Sequence, residues 1–296
     1  MGLKAGGTKW VLLLASSKQP EPRHILDLAF GLYCLESAGV APADIAIYID
    51  GADRAPILQW IGMGSTNAYV IKLSSDLFTD LAQNAYENIV IFVTGHGGIQ
   101  GIDAPVVITP SALLMGIKSA PNLVNAVLYL GQCYAGVFNY IGAGRTQLGT
   151  GPAEPSVIII GATNLHGSLS GSTQEQVGAV VLPWVANLFL LHVFKWISNP
   201  VDVDGDGKHT VIDSYKYAGA MANDTSKNLK INSFVRSFDL HSKWLAAGQA
   251  HSTGPNVQTQ LALQAAGTQL EAELQVHYTH QESWILNAIP AQRLEF

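Results

Sequence analysis

A thiol and an imidazole occupy matching places in two short segments, Thr94-Gly95-His96-Gly97-Gly98 and Gly131-Gln132-Cys133-Tyr134-Ala135-Gly136. A cysteine attacks a carbonyl carbon only as the thiolate, so it needs a base or an electropositive setting. Histidine can take that proton near neutral pH and later return it to a leaving amine. The glycines flanking His96 let backbone N–H groups come close to a substrate carbonyl, as stabilisation of a developing oxyanion requires. The two segments therefore carry the parts of nucleophilic acyl transfer, with Cys133 as nucleophile and His96 as base.

Such a pair works only if the chain holds it in register. Each segment follows an apolar run that reads as a buried strand, Ile89-Val90-Ile91-Phe92-Val93 before the histidine and Ala126-Val127-Leu128-Tyr129-Leu130 before the cysteine. Side chains just past buried strands sit at the carboxyl edge of a sheet, where open α/β proteins place their ligands. Further strands are expected at Lys9–Ala15, Ile45–Asp50, Tyr69–Leu73 and Val157–Ala162. Helices are expected between them: Ile25–Ala38 stopped by Gly39, Asp76–Glu87 after Ser74-Ser75, and Ala112–Ser119 behind Thr109-Pro110. The strand runs are continuously apolar rather than alternating, which fits strands covered on both faces. The fold class is α/β, a three-layer α/β/α sandwich around a mainly parallel sheet.

The arrangement resembles the caspase–hemoglobinase clan of cysteine peptidases, and within it the legumain family with its GPI-transamidase-like branch. The resemblance covers residues 9–220. It implies a caspase-like sheet and a Cys133–His96 dyad, with the N–H groups of Gly97 and Cys133 forming the oxyanion hole. It also implies a role for Arg23-His24, which match the Arg-His pair that helps form the primary specificity pocket in legumain-like enzymes. Three departures stand out. Gly95 replaces the acid that often precedes the histidine in legumain-like enzymes, as in the transamidase branch and many caspases. Gly131 replaces an acid two residues before the cysteine, and Pro183 precedes Trp184 where an acid is expected. With those acids missing, Arg23 is expected to be uncompensated and to present a fork suited to a carboxylate. Cleavage after an acidic residue or Asn is implied, with Asp favoured.

A second constellation is Asp202-Val203-Asp204-Gly205-Asp206-Gly207-Lys208-His209-Thr210-Val211-Ile212-Asp213. Acids at loop positions one, three, five and twelve and Gly at six match a calcium-binding EF-hand loop. Asp202, Asp204, Asp206, the Lys208 carbonyl and Asp213 are the expected ligands. Asp213 is shorter than the usual Glu, which should weaken binding. Calcium in a structural or regulatory role is expected, and no organic cofactor.

Composition bounds the rest. The chain has 296 residues, 48% hydrophobic but only 13% charged, against about a quarter in an average domain. A net charge of −6 without basic blocks argues against a nucleic-acid partner. A peptide or protein substrate and possible self-association are the partners expected. The two cysteines, Cys34 and Cys133, make no disulfide framework, and Cys34 falls within a helical pattern as a packing residue. The start of the chain shows no signal peptide, so a reducing, cytoplasmic setting is expected. Val177 to Phe194 has no Asp, Glu, Lys or Arg but contains Pro183, Asn187 and His192. It reads as a buried core helix ahead of a membrane span or an apolar dimer surface.

The peptidase-like domain is expected over residues 1–232, with the acidic loop inside it, and an accessory segment over 233–296. Every second position is apolar or Thr from Val257 to Ala265, and apolar again from Leu270 to Tyr278, around Gly267-Thr268. An antiparallel hairpin is favoured there over a helix that would place Leu263, Ala266, Leu270 and Leu274 on one face. The leading reading is a cysteine endopeptidase. A transpeptidase or transamidase sharing the thioester step stands beside it, with a catalytically silent calcium-binding scaffold as the reading from another class.

Overall fold

The computed structural model describes residues 2–144, 153–279 and 281–296. In chain order the strands are β1 (Thr8–Ala15), β2 (Ile45–Ile49), β3 (Ile71–Lys72), β4 (Asn88–Gly95), β5 (Gly97–Gly98), β6 (Gly101–Ile102), β7 (Asn125–Leu130), β8 (Ser156–Gly161), β9 (Ser170–Val177), β10 (Val180–Asn187) and β11 (Trp284–Leu286). The α-helices are α1 (Pro22–Ser37), α2 (Arg54–Ile61), α3 (Asp76–Ala82), α4 (Pro110–Lys118), α5 (Leu188–Ser198), α6 (Val211–Thr253), α7 (Val257–Tyr278) and α8 (Ala288–Ala291). The main sheet runs β11-β8-β7-β4-β1-β2-β3, parallel except for β11, which pairs antiparallel with β8.

The continuous apolar strands are covered on both faces, and their alternation sorts side chains into two cores. Val11, Leu13, Ile89, Ile91, Leu128 and Ile159 point to one side and pack with Leu77 and Leu81 of α3 and Leu113 and Ile117 of α4. On the other side Phe92 stacks on Tyr129, with ring centroids 5.2 Å apart, and meets Phe194 of α5 at 4.8 Å. Helix α1 lies against α5 so closely that a Cβ on Gly31 would fall 2.4 Å from the Phe194 ring. This is the three-layer α/β/α sandwich with a mainly parallel sheet. Losing a ring such as Phe92 from this core would cost about 3–5 kcal/mol.

Val177–Phe194 is not one helix. Its first part belongs to the ribbon β9–β10, in which Pro183 sits opposite Gln174, and the helix starts only at Leu188. A two-stranded ribbon leaves each strand one unpaired edge, where a proline's missing N–H costs nothing. Asn187 ends the strand and caps α5 by accepting from the Leu190 N–H at 3.0 Å. Among the described residues no helix is long and apolar enough to cross a membrane.

The tail overturns the expected hairpin. Residues Val257–Tyr278 form α7, opened by a capping box between Asn256 and Thr259. Its half-buried positions are Thr259, Leu263, Ala266, Gly267, Leu270, Glu273, Leu274 and His277, a spacing of three and four. Gln, Ala, Leu and Glu favour helix, and the period-two pattern was coincidental within a segment whose helical face is equally apolar. The chain divides into one compact unit of Met1–Ala222 with Gln281–Phe296 and a second of Asn223–His280. The expected boundary at 232/233 falls inside the continuous helix α6. The last residues belong to the first unit, where β11 completes the sheet and Phe296 packs on Trp196 with ring centroids 4.9 Å apart.

Candidate functional site

Strand order reverses between β1 and β4. From β1 the chain builds outward through β2 and β3, then returns to build β4, β7 and β8 on the other side. Such a switch point opens a crevice at the carboxyl ends of the strands. The crevice here is a cavity of about 520 Å³ lined by Ser16, Glu21, His24, Gly95, His96 and Asp103, among others. His96 leaves the end of β4, and Cys133 follows β7, the parallel neighbour of β4. Gly95 has φ +108°, a conformation an acidic residue would adopt only with strain. Gly97 passes the cysteine so closely that a Cβ would lie 2.3 Å from the Cys133 carbonyl oxygen. Any side chain at position 131 would force Leu190 to shift, because a Cβ there would lie 2.7 Å from its Cδ1.

His96 is not hydrogen-bonded to Cys133. Its Nε2 faces Glu21 Oε1 at 2.7 Å, while Glu21 Oε2 binds Arg23 Nε at 2.6 Å. Hydrogen bonds from Arg23 and His96 hold the Glu21 carboxyl at about 2, well below the usual carboxylate range. An ionised carboxylate only accepts, so the His96 proton sits on Nε2 and the lone pair of the neutral ring sits on Nδ1. Glu21 corrects the expectation of an uncompensated Arg23. The acid comes from two residues upstream on the same segment, not from positions 131 or 183. The other end of Arg23 donates from Nη1 to Ser170 Oγ at 3.2 Å.

Beneath this pair lies a buried network that sequence reading missed. His24, 4% exposed, donates from Nδ1–H to Thr94 Oγ1 at 3.2 Å, and Thr94 donates in turn to Asp27 Oδ2 at 2.8 Å. Asp27 also accepts from Trp184 Nε1 at 2.9 Å and from the Asn187 N–H at 3.1 Å. Trp184 thus meets an acid, but a buried one, Asp27, supplied by α1 and lying beneath the cavity rather than in its lining. His24 lies edge-on to His96, with ring centroids 5.2 Å apart.

Cys133 is partly exposed, and its Sγ accepts from the Ser168 N–H at 3.3 Å, a donor aimed where negative charge would sit. Tyr134, next in the chain, has φ +56° and is pinned by its N–H to the His166 carbonyl at 2.8 Å. Backbone strain of this kind persists where the surroundings over-determine it. The buried Gln132 carboxamide has no hydrogen-bond partner at either end among the described residues. The other thiol, Cys34, is buried and desolvation pushes it up to about 12.

Asp202, Asp204 and Asp206 come within 4.8 Å of one another. Asp213 turns elsewhere, accepting from the N–H groups of Val203 and Thr210, both at 2.9 Å, and from Thr210 Oγ1 at 2.7 Å. It closes the first turn of α6. Lys216 holds Asp204 at 2.8 Å, and the Lys208 side chain reaches Glu295 at 3.2 Å.

No protein-family model matches the chain, and no curated protein matches it. Among solved structures it is similar to caspase-1 from Spodoptera frugiperda, at 10% identity and a TM-score of 0.40, over 72% of this chain and 77% of that one. A likeness at this level bears on neither chemistry nor specificity.

Proposed function

We propose that the protein is a cysteine endopeptidase of caspase–hemoglobinase type, with site segments that resemble those of the legumain family. The observation that carries the reading is the packing of Gly97 against the Cys133 backbone, which sets the two chemistry-bearing strand ends side by side at the same edge of the sheet. In this reading the substrate carbonyl lies between Cys133 and the N–H groups of Gly97 and Cys133. His96 Nδ1 takes the thiol proton, the thiolate adds to the carbonyl carbon, and the imidazolium returns the proton to the departing amine. Catalytic hydrogen bonds are often long or poorly aligned until substrate binds, and the Nε2–H contact with Glu21 leaves Nδ1 as the basic nitrogen.

Arg23 and His24 border the pocket for the side chain before the cleaved bond. The guanidinium already shares one edge with Glu21, so both Asp and Asn fit, and Asp gains over Asn only by displacing that carboxylate. Resolution of the thioester by water gives a peptidase, and by an amine a transpeptidase. The loop Asp202–Asp213 is proposed to hold calcium through Asp202, Asp204, Asp206 and the Lys208 carbonyl, with Asp213 bracing the loop. Peptidyl fluorophores differing at the cleaved residue, with and without an added amine and calcium, test the whole reading. Cleavage after Asp and Asn is expected; a preference for Lys or Arg would refute the pocket.

A further inference from the structure

The Nε2 atom of His24 is an unusual feature of the crevice. It is buried and has no hydrogen-bond partner among the described residues. Its tautomer follows from its neighbours. The single Thr94 hydroxyl proton goes to Asp27, whose Oδ2 also lies 3.6 Å from His24 Nδ1, so Thr94 accepts from His24 Nδ1–H, and in the neutral ring Nε2 carries the lone pair. His24 lines the cavity together with Glu21 and His96, whereas Thr94 and Asp27, on its Nδ1 side, do not. The bare lone pair therefore faces the cavity. One ligand atom from each of Glu21, His24 and His96 lies within 4.8 Å of the others.

We propose that Glu21, His24 and His96 form a site for a borderline transition-metal cation, of which Zn2+ is the type, and that the bound cation silences His96. Two imidazoles and one carboxylate are a recognised donor set for zinc, leaving a fourth position to water or substrate. Two of the three ligands are braced from behind. Asp27 and Thr94 fix the His24 ring, and Arg23 holds Glu21 Oε2, leaving Oε1 turned to His96. Zinc bonds of 2.0–2.1 Å put tetrahedral ligand atoms about 3.4 Å apart, so Glu21 and His96 must part slightly from their 2.7 Å contact.

The proton balance explains the silencing. In the resting arrangement His96 carries its proton on Nε2, facing Glu21. Coordination through Nε2 needs the lone pair there, so the proton moves through solvent to Nδ1. No proton is released from the neutral ring, and one is released from the imidazolium. The ring that emerges has Nδ1–H and no free lone pair with which to deprotonate Cys133. This last step rests on the peptidase reading; the site itself does not.

Calorimetry with Zn2+ alone tests the site, using protein carrying Asp204→Ala so that the acidic loop does not add to the stoichiometry. One ion per chain is expected. Glu21→Gln and His24→Ala should each weaken binding about 100-fold, and Thr94→Val about 10-fold through loss of ring orientation. Co2+ in place of Zn2+ should give ligand-field absorption without a thiolate charge-transfer band. The Glu21 side chain is 46% exposed, so Glu21→Gln keeps the test valid should His24→Ala fail to fold. Absence of binding heat, or an unchanged affinity in Glu21→Gln, or a thiolate band that disappears with Cys133→Ala, would overturn the proposal. Cleavage assays on the same samples keep the two readings apart. Zn2+ binding without any peptidase activity in the metal-free protein supports the site and removes only the enzymatic reading. Cleavage that continues at full rate with zinc bound overturns the silencing.

Discussion

The crevice at the ends of β4 and β7 and the acidic loop before α6 both bring charged side chains together, but they are built differently. The strand ends there bring Glu21, His24, His96 and Cys133 together from three separate segments and leave polar atoms without partners among the described residues, on His24 and on Gln132. The loop is contiguous, and each of its carboxylates already has an internal partner. Asp202 accepts from the N–H groups of Gly205 and Gly207, Asp206 from that of Lys208, Asp204 from Lys216, and Asp213 from Val203 and Thr210. Desolvated groups without partners are costly to a fold, so they mark the places where a ligand would supply what the protein does not. By that criterion the crevice depends on a ligand more than the loop does.

The sharpest break of this comparison is Cys133→Ala. Removing a covalent nucleophile from a working site should lower peptide cleavage by about 10³-fold or more and abolish labelling by a thiol-reactive peptide warhead. Cys34→Ala should change neither, because the Cys34 thiol is buried and held protonated by desolvation. Full hydrolysis by the Cys133 variant would show that the crevice is not where the chemistry happens.

A smaller effect sharpens the picture of the pocket. Glu21→Gln removes the charge that now faces both Arg23 and His96. The ratio of Asp to Asn cleavage should rise, on the order of 10-fold, as the guanidinium becomes free for a substrate carboxylate. The specificity constants for the two peptides measure this directly. An unchanged ratio would mean that Arg23 does not read the side chain at all. Acid should act in the same direction on stability. The Glu21 carboxyl lies below its ordinary value when folded, so its contribution is present above the usual carboxylate range and is lost as pH falls towards about 2.

Much of this was legible in the sequence, and the reasons for the rest are specific. The strand ends before His96 and Cys133 were visible because fully buried parallel strands are continuous apolar runs closed by glycine. Arg23-His24 could be placed at the opening of a helix because they precede the helical pattern of Ile25–Ala38, although α1 itself starts earlier, at Pro22. The partner of Arg23 was missed although Glu21 stands two residues away, because the acid was sought at positions set by the resemblance. Asp27 and Thr94 gave no local signal, since a buried hydrogen-bond chain between α1, β4 and β10 exists only once the layers are packed. Val177–Phe194 misled because hydropathy without charge does not distinguish a ribbon running into a helix from a helix alone. The tail misled because period two and period 3.6 share many positions in a short stretch of Ala, Leu and Gln.

Within the loop the comparison predicts an order among the acids. Asp213 is fully buried and braces the first turn of α6, whereas Asp206 is exposed. Asp213→Ala should therefore destabilise the protein by about 1–3 kcal/mol in the absence of any cation, by loss of the capping interaction and of buried partners. Asp206→Ala should cost well under that. Thermal unfolding in the presence of a chelator distinguishes them, and equal losses would show that Asp213 has no bracing role.

Calcium gives the smallest expected shift and tests the loop from the other side. The ion must displace Lys216 from Asp204 and cannot recruit Asp213 without breaking its bonds to Val203 and Thr210. A site of that kind falls among the weaker calcium modules, with dissociation constants of about 10⁻⁴–10⁻³ M. Stabilisation by a ligand that binds only the folded state then amounts to about 0.4–1.4 kcal/mol at roughly 1 mM calcium. Melting curves with calcium and with chelator should separate by that small amount, and Asp204→Ala should erase the separation. Lys216→Met should widen it, because removing the competing ammonium leaves Asp204 free for the ion. A curve that does not move in saturating calcium, for either the intact protein or Lys216→Met, would leave the loop as a self-contained turn whose carboxylates serve only the backbone around them.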